Sequence, residues 1–588
     1  MTEFRTRRPL PGHVGLYVTH QELNGRRATV ADAVHLLSRF NVHAVLPVIA
    51  NIANFLVQPG TKDLSSQRQL VALFCGEDLR QKLSERTDFG KERGVVVFHR
   101  QQQLVLLKLV LLCCPQDGGE AWSDATSHAY AEACLMVNDF LGPEARETVD
   151  PRSLLEIAAP MLTNTELFSD QDHLSMVGRA ADLWLEIPNE PELLKDGDFV
   201  PIAERFEGRY GVSLRDFLYI LFMLLVTLEQ FDPTKEAPIA DLRVNSARFV
   251  PESVYPRATL EKVLSIVSRD VADLSHRLFS EPSQSLRFDY SLLRRFPLIR
   301  EPSGYYLCYD RGLLRKQLTD GIYWLVVDLL AGKEREKFRA FFGDIFARYV
   351  ERVLAHAYAP GRWPATAGHY YYPRPTFADN RGEVCDGLID CGGESLILIE
   401  VKGALLSTQA KYAGDPDVLE RDLEDRFVRE KRDKKDKGVR QLSKGIHKLL
   451  DGGRINGVPV DLSRCNNMYP VLVSYDANPA SNLIQKYLRI RFDEAMRERG
   501  PLPLRPTIRP LTVMAPDGLE AFAALAHKHQ LNHVLASYRR ADERDLMLPF
   551  SYFLQNNYKG DNDIEGTWLF DRYDRIHSEV VRLLEGTE

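Results

Sequence analysis

Glu383-Val-Cys-Asp-Gly-Leu-Ile-Asp-Cys-Gly-Gly-Glu-Ser-Leu-Ile-Leu-Ile-Glu-Val-Lys402 is the stretch whose reading decides the fold. Two apolar runs, Glu383–Asp390 and Leu396–Lys402, flank Cys391–Ser395 with its paired glycines, the pattern of two antiparallel strands joined by a turn. A turn centred on Gly393 places Asp386 directly across from Glu400, and such partners stand about 4.5–5.5 Å apart at Cβ. Strand alternation puts Glu400 and Lys402 on one face. Two carboxylates and one amine therefore converge from two rigid elements.

The neighbours of this trio are apolar: Leu388, Ile389, Leu398, Ile399 and Val401. Charges set among such residues are costly unless they are paired or hold a cation. Two close carboxylates repel each other unless a divalent ion lies between them, and hard oxygen donors favour Mg²⁺ or Mn²⁺ over zinc. Such an ion polarises a phosphate and acidifies a bound water. Lys402 is placed to orient that water or to offset developing negative charge. The competing reading is a structural Asp386–Lys402 salt bridge. Asp390, at the hairpin end, reads as a turn residue and not as part of the trio.

An Asp on one strand, 14 residues before a Glu-x-Lys on the next, resembles the PD-(D/E)xK, or restriction-endonuclease-like, phosphodiesterase superfamily. The resemblance covers roughly residues 338–480. It implies Asp386 and Glu400 as metal ligands and Lys402 as the catalytic lysine. The named proline is absent, since Cys385 precedes Asp386. The family's preceding helix resembles Gly343-Asp-Ile-Phe-Ala-Arg-Tyr-Val-Glu351, but Ala347 stands at the usual acidic position. Asp344 and Glu351 share that helical face, and Glu351 is the preferred third metal ligand. Gly438-Val-Arg-Gln-Leu-Ser-Lys-Gly-Ile-His-Lys-Leu449 resembles the helix that follows the Glu-x-Lys strand, with Gln441 at the position that contributes to catalysis. Gly445 occupies the place of the family's tyrosine. An ordinary surface glutamine is the alternative for Gln441.

Outward from this core, the pattern predicts a helix over Phe338–Tyr358, an irregular aromatic segment over His369–Phe377, a long charged helical stretch over Asp417–Leu450 and a strand over Tyr469–Tyr475. The order is α-β-β-(β)-α-β. Between Glu420 and Lys448 there are eleven Lys/Arg and seven Asp/Glu. Lys434, Lys435, Lys437, Arg440 and Lys444 are the candidate contacts to nucleic-acid phosphates, against the alternative of a solvated helix laced with ion pairs. Tyr370–Tyr372 would either stack on bases or pack in the core.

The whole chain has 588 residues, 44% hydrophobic and 27% charged, with net charge -7. The length calls for about three or four domains, and the charge excludes a passive polybasic coat while allowing one basic groove. Residues 1–250 read as a mainly helical regulatory or partner-binding region, 251–335 as a helical connector, 336–490 as the nuclease domain and 491–588 as an α/β tail. The expected class is thus multidomain α + α/β, with a restriction-endonuclease-like α/β/α domain around a mixed central sheet. The eight cysteines form no CxxC pair and read as reduced, mostly buried thiols. The basic N-terminus has no apolar core of a signal peptide, and the apolar runs Leu104–Cys114 and Phe217–Leu228 fall short of a bilayer span. A cytoplasmic location with no membrane contact is expected.

The resulting expectation is a Mg²⁺- or Mn²⁺-dependent nuclease acting on DNA, an endonuclease in preference to an exonuclease, and a prokaryotic effector of defence against foreign DNA. Its helical region would bind a regulatory protein or a second copy. No GxxxxGK[ST] loop is present, so no ATPase is expected. The alternative is an inactive nuclease-like module that holds nucleic acid or protein, or an assembly scaffold.

Overall fold

The structure is a computed structural model. It describes residues 16–57, 64–85, 95–141, 151–167, 173–229, 242–246, 250–280, 286–379, 382–430, 435–459, 461–501, 505–545, 549–558, 560–561 and 567–585. The class is mixed α + α/β, and the chain divides into two compact units. One comprises residues 1–145 and 220–317, the other 146–219 and 318–588. Residues 146–219 thus belong with the C-terminal half, so the helical region expected over 1–250 is shared between the two units.

The first unit is built on apolar helices, among them Val42–Leu56, Arg100–Cys113 and Asp124–Leu141, with a small four-stranded sheet formed by residues 243–244, 268–269, 298–300 and 306–308. The Leu104–Cys114 run lies inside a buried helix. Among the described residues no single helix is long and apolar enough to cross a membrane. Two buried polar contacts tie this unit together: Arg100 Nη2 donates to Asp310 Oδ1 at 2.6 Å, and Asn54 Nδ2 to the Cys308 carbonyl at 2.9 Å.

The second unit carries the sheet that holds the candidate site. In chain order its principal elements are α1 (Gly332–Ala357), β1 (His369–Pro373), β2 (Gly387–Cys391), β3 (Ser395–Lys402), α2 (Pro416–Leu423), α3 (Gly438–Leu450), β4 (Asn467–Ser474), α4 (Asn482–Glu498), β5 (Thr507–Ile508), β6 (Thr512–Met514), α5 (Pro516–Ala524) and α6 (Trp568–Glu585). The sheet has the order β5-β4-β3-β2-β1, with β6 also paired to β4. β1, β2 and β3 are antiparallel neighbours, while β4 runs parallel to β3. Parallel pairing needs a crossover, which α2 and α3 supply.

The hairpin register matches the expectation: Gly387 faces Ile399 and Cys391 faces Ser395. Gly392 and Gly393 both take positive φ, 67° and 78°, where a side chain would be strained. Asp390 Oδ1 accepts from Gly393 N at 2.7 Å, the turn role read for it. Both faces of β3 are buried. Leu396 and Leu398 enter a core with α3, α4 and the helix Pro151–Leu167, and Ile397 and Ile399 on the opposite face are equally enclosed. Such two-sided burial accounts for a strand that reads as continuously apolar.

Three local expectations are corrected. The aromatic segment at 369–373 is a regular strand, β1, because its tyrosines pair with β2 in an antiparallel ladder. The helix expected over 417–450 is broken: α2 ends in a single π turn at Glu424–Val428, Arg429 bridges to Asp436, and α3 begins at Gly438. Gly438 holds φ 32° with its missing Cβ 2.6 Å from the Phe427 carbonyl, so the chain must turn there. The strand expected over 507–514 is two short strands, both on β4, which joins the presumed tail to the central sheet.

Residues distant in sequence close this unit. Asp182 accepts from the indole of Trp568 and from Arg352 Nη1 at 2.8 Å, and Arg572 Nη1 donates to Glu186 at 2.9 Å. Burial, against these cations, pushes the Asp182 carboxyl up to about 6.

Candidate active site

Asp386 stands one residue before β2, on a segment tied from both sides. Its carbonyl accepts from Arg374 N at 2.9 Å, and Val384 N donates to the Pro375 carbonyl at 2.8 Å. Arg374 adopts φ 43°, unusual for a residue with a side chain. The Asp386 carboxylate reaches across to β3, where Oδ2 accepts from Val401 N at 2.6 Å. The backbone between Glu400 and Lys402 therefore holds Asp386 in place.

On β3, Lys402 Nζ donates to Glu400 Oε1 at 2.7 Å. The Glu400 side chain is 4% exposed and that of Lys402 is 18% exposed, so the pair lies at the margin of the core. Burial pushes the Glu400 carboxyl up to about 7. Lys402 pulls it back, while Asp386 and Glu383 push it further up. For Lys402, burial alone would favour the neutral amine, but the Glu400 and Asp386 carboxylates outweigh it and hold the pKa above the ordinary lysine value. The trio is one electrostatic unit: an ammonium and two carboxylates, one of which takes up a proton near neutrality.

Two glycines set the surrounding helices at short range. Gly403 follows Lys402 directly, and a Cβ there would fall 2.9 Å from the Cα of Gly343 on α1. Gly445 on α3 would place a Cβ 2.2 Å from the Val384 carbonyl. No larger residue fits at 445 without displacing that carbonyl. Beyond Lys402, Leu406 N donates to Asp476 Oδ2 at 2.8 Å, and Lys411 pairs with the same carboxylate at 2.9 Å.

The acids of α1 have different surroundings. The Asp344 carboxyl is raised by burial and by Asp196, Asp198 and Asp386, against Arg374. Glu351 is salt-bridged to Arg348 at 2.6 Å, and Arg348 also holds Glu190 at 2.8 Å. Asp344 thus shares a field with Asp386, while Glu351 is engaged in an ion-pair chain. Gln441 lies in the first turn of α3, which packs on β3. Its buried Oε1 accepts from no group among the described residues.

Of the basic residues, Lys434 lies outside the described residues. Lys437 pairs with Glu430 at 3.0 Å, and Arg440 with Asp436 at 3.0 Å and Glu498 at 2.8 Å, so both serve ion pairs within the fold. Lys435 and Lys444 are exposed. Tyr370 is 55% exposed, whereas Tyr371 packs its ring over Gly387, and burial beside Glu351, Cys385 and Asp386 raises its hydroxyl.

Sequence reading passed over Glu383 and Arg374, while Tyr371 takes the core-packing alternative for Tyr370–Tyr372. Glu383 precedes Asp386 by three residues, and its charge is felt by both Glu400 and Lys402. Its place in the strand-like run was the available signal.

Among the described residues no group of three or more His, Cys, Asp or Glu is arranged to hold a metal ion. The Asp386 and Glu400 carboxylates still fit Mg²⁺, which commonly takes one or two carboxylates and keeps several waters. Burial lifts the Glu400 carboxyl and the charge of Asp386 adds to it, a cost that a cation beside the pair would relieve. Comparison with protein-family models, with curated proteins and with solved structures finds no match.

Proposed function

We propose that this protein is a metal-dependent nuclease of PD-(D/E)xK type that hydrolyses phosphodiester bonds in DNA as an endonuclease. The observation that carries the reading is the convergence of Asp386, Glu400 and Lys402 on adjacent strands, Asp386 being anchored to the backbone of the Glu-x-Lys segment at 2.6 Å. The element order supports it: helix α1, the meander β1-β2-β3, the crossover helix α3 and the parallel strand β4 beside β3 give the arrangement that the resemblance implies.

In this reading Asp386 and Glu400 hold Mg²⁺ or Mn²⁺, with Asp344 closer in charge to the pair than Glu351. The ion supplies Lewis acidity toward the phosphate and lowers the pKa of a bound water. Glu400 binds as the carboxylate and gives up the proton that burial favours near neutral pH. Lys402, kept cationic by its two carboxylates, donates hydrogen bonds toward the attacking water or the phosphate oxygens and offsets their gathering charge. Gln441 Oε1 is a spare acceptor for a water. Exposed Lys435 and Lys444 contact the phosphate backbone. The helices of the first unit bind a regulatory protein or a second copy, and the biological role is defence against foreign DNA in a prokaryote.

Ala347 at the usual acidic position, with no group of three metal-ligating side chains among the described residues, favours a second reading, a nuclease-like module that binds nucleic acid without cutting it. A plasmid-cleavage assay with Mg²⁺ or Mn²⁺ separates the two. Nicking or linearisation by the wild type, abolished by Lys402→Ala and Asp386→Ala, is the expected result. Retention of plasmid by a protein that cuts no plasmid, linear DNA, single strand or RNA establishes the binding module.

A further inference from the structure

Arg374 stands where β1 ends, beside the segment that carries Asp386. Among the described residues it is the one non-glycine with positive φ, at 43°. A side chain is strained in this left-handed region, and glycine or asparagine would sit there at less cost.

The backbone imposes that conformation. Arg374 N donates to the Asp386 carbonyl at 2.9 Å, Pro373 pairs with Gly387 on one side, and Thr376 bridges to Glu383 on the other. The side chain adds nothing to this lacing. It is exposed, and among the described residues it enters no ion pair and no side-chain hydrogen bond. The fold thus bears a strained arginine whose guanidinium it does not use, and strain without a structural return points to a ligand.

The charges around it say which ligand. Arg374 acts on the Asp344 carboxyl and the Tyr371 hydroxyl, lowering each against the burial that raises them, and Asp386 acts on the same two groups with the opposite sign. The guanidinium therefore reaches the ground that Asp386 reaches. The rest of that margin is acidic, with Asp344, Glu383, Asp386 and Glu400, and Lys402 is engaged by Glu400 at 2.7 Å. A phosphodiester approaching these carboxylates is repelled unless a cation meets it. A guanidinium offers two parallel N–H donors that match two phosphate oxygens. Lys444 lies on α3, whereas Arg374 belongs to the β1–β2 side of the sheet.

We infer that Arg374 is a phosphate clamp, its guanidinium taking two oxygens of one backbone phosphate of a DNA strand laid beside Asp386. The inference rests on the nucleic-acid reading of the site, and the contact is the same whether or not the strand is then cut.

The test is fluorescence anisotropy of a short fluorescein-labelled DNA duplex with Ca²⁺ at several salt concentrations. The proteins are wild type, Arg374→Gly, Arg374→Asn, Arg374→Lys and Arg464→Ala. Arg464 is exposed near the hairpin end of the sheet, where Asn466 N donates to the Glu394 carbonyl at 2.8 Å. Arg374→Gly and Arg374→Asn suit the left-handed backbone and should keep or raise the melting temperature. Both should weaken the duplex about tenfold and lower the salt slope by about one. Arg374→Lys should keep the slope and recover only part of the affinity, since an ammonium cannot make the paired bonds. Arg464→Ala should stay within about twofold of wild type.

Unchanged affinity and slope in folded Arg374→Gly or Arg374→Asn overturn the clamp, and cleavage still abolished by Lys402→Ala would then leave the nuclease reading standing. An equal loss in Arg464→Ala overturns it too, since any surface charge would serve. A wild type that neither binds the duplex nor cuts plasmid removes the nucleic-acid reading and the clamp together. If neither Arg374→Gly nor Arg374→Asn folds, Arg374→Lys decides, and full wild-type affinity in that variant overturns the clamp.

Discussion

Asp386 and the amide of Val401 are joined by a 2.6 Å hydrogen bond that crosses from the first strand of the hairpin to the second. The same carboxylate is thus a structural clamp through one oxygen and a candidate ligand through the other. Substitutions at this residue should separate the two roles. Asp386→Asn keeps an oxygen to accept from Val401 and should shift stability by under about 1 kcal/mol, while losing divalent-cation binding and all cleavage. Asp386→Ala leaves the buried amide unsatisfied and should cost a further ~1–3 kcal/mol. Chemical denaturation and Mn²⁺ titration calorimetry on both variants check this, and equal destabilisation by Asn and Ala would contradict the clamp.

The pH dependence of stability should carry the mark of Glu400. Its carboxyl is raised from 4.5 to about 7 in the folded protein, so the folded state holds more protons than the unfolded state between those values. Stability must therefore fall as pH rises through that window and level off above it. Glu520, also raised to about 7 by burial, adds to the same slope. Thermal unfolding of wild type and Glu400→Gln from pH 4 to 8 isolates the Glu400 share, which should vanish in the variant. Cation affinity should run the opposite way and strengthen up to about pH 8.

Two helical glycines should respond to alanine with opposite signs. Gly343 has no atom within 4 Å of a built Cβ, whereas at Gly445 the Val384 carbonyl lies at 2.2 Å. Gly343→Ala should stabilise by about 0.5–1 kcal/mol through helix propensity. Gly445→Ala should destabilise by about 1–3 kcal/mol through overpacking, and it should also weaken cleavage, since Val384 leads into Asp386. Melting curves of both proteins give the answer.

The acids of α1 can be ranked by cation affinity. Asp344→Asn should weaken Mn²⁺ binding several-fold, because Asp344 shares the field of Asp386. Glu351→Gln should leave it within about twofold, since its charge is met by Arg348. The reverse order would assign Glu351 as the third acid.

For nucleic-acid contact, Lys435→Ala and Lys444→Ala should each lower the salt slope of DNA affinity by about one. Arg440→Ala should chiefly reduce stability, because it breaks pairs with Asp436 and Glu498. Fluorescence anisotropy at several salt concentrations distinguishes the two classes.

The hairpin was legible because three local signals agreed: β-branched and leucine-rich runs, a Gly-Gly turn, and carboxylates placed across from one another. The register followed from the turn alone. Strand β1 was hidden because its Tyr and Pro composition reads equally as loop, and only its partner β2 makes it a strand. The break after α2 was hidden because the Lys, Arg and Glu that dominate 417–450 favour a helix, while the force that turns the chain is a backbone approach at Gly438. The i,i+4 pair of Arg440 with Asp436 matches the ion-paired alternative for this stretch, whereas its second partner, Glu498, lies in tertiary structure and left no periodic trace. The same holds for the placement of residues 146–219 in the second unit.

That placement bears on how the chain is made. Asp182 and Glu186 meet Trp568 and Arg572, each pair separated by 386 positions in the sequence. During synthesis the ribosome releases Asp182 long before its partners emerge. The segment that carries it, residues 146–219, must wait while the chain of the first unit, which ends at residue 317, is completed. The unit with the candidate catalytic trio therefore closes after the first, and the ion pairs at Asp182 act as a latch set once α6 has emerged. A nascent chain lacking α6 would hold Asp386, Glu400 and Lys402 without the contacts that finish their domain, which delays any activity of this site until α6 has emerged.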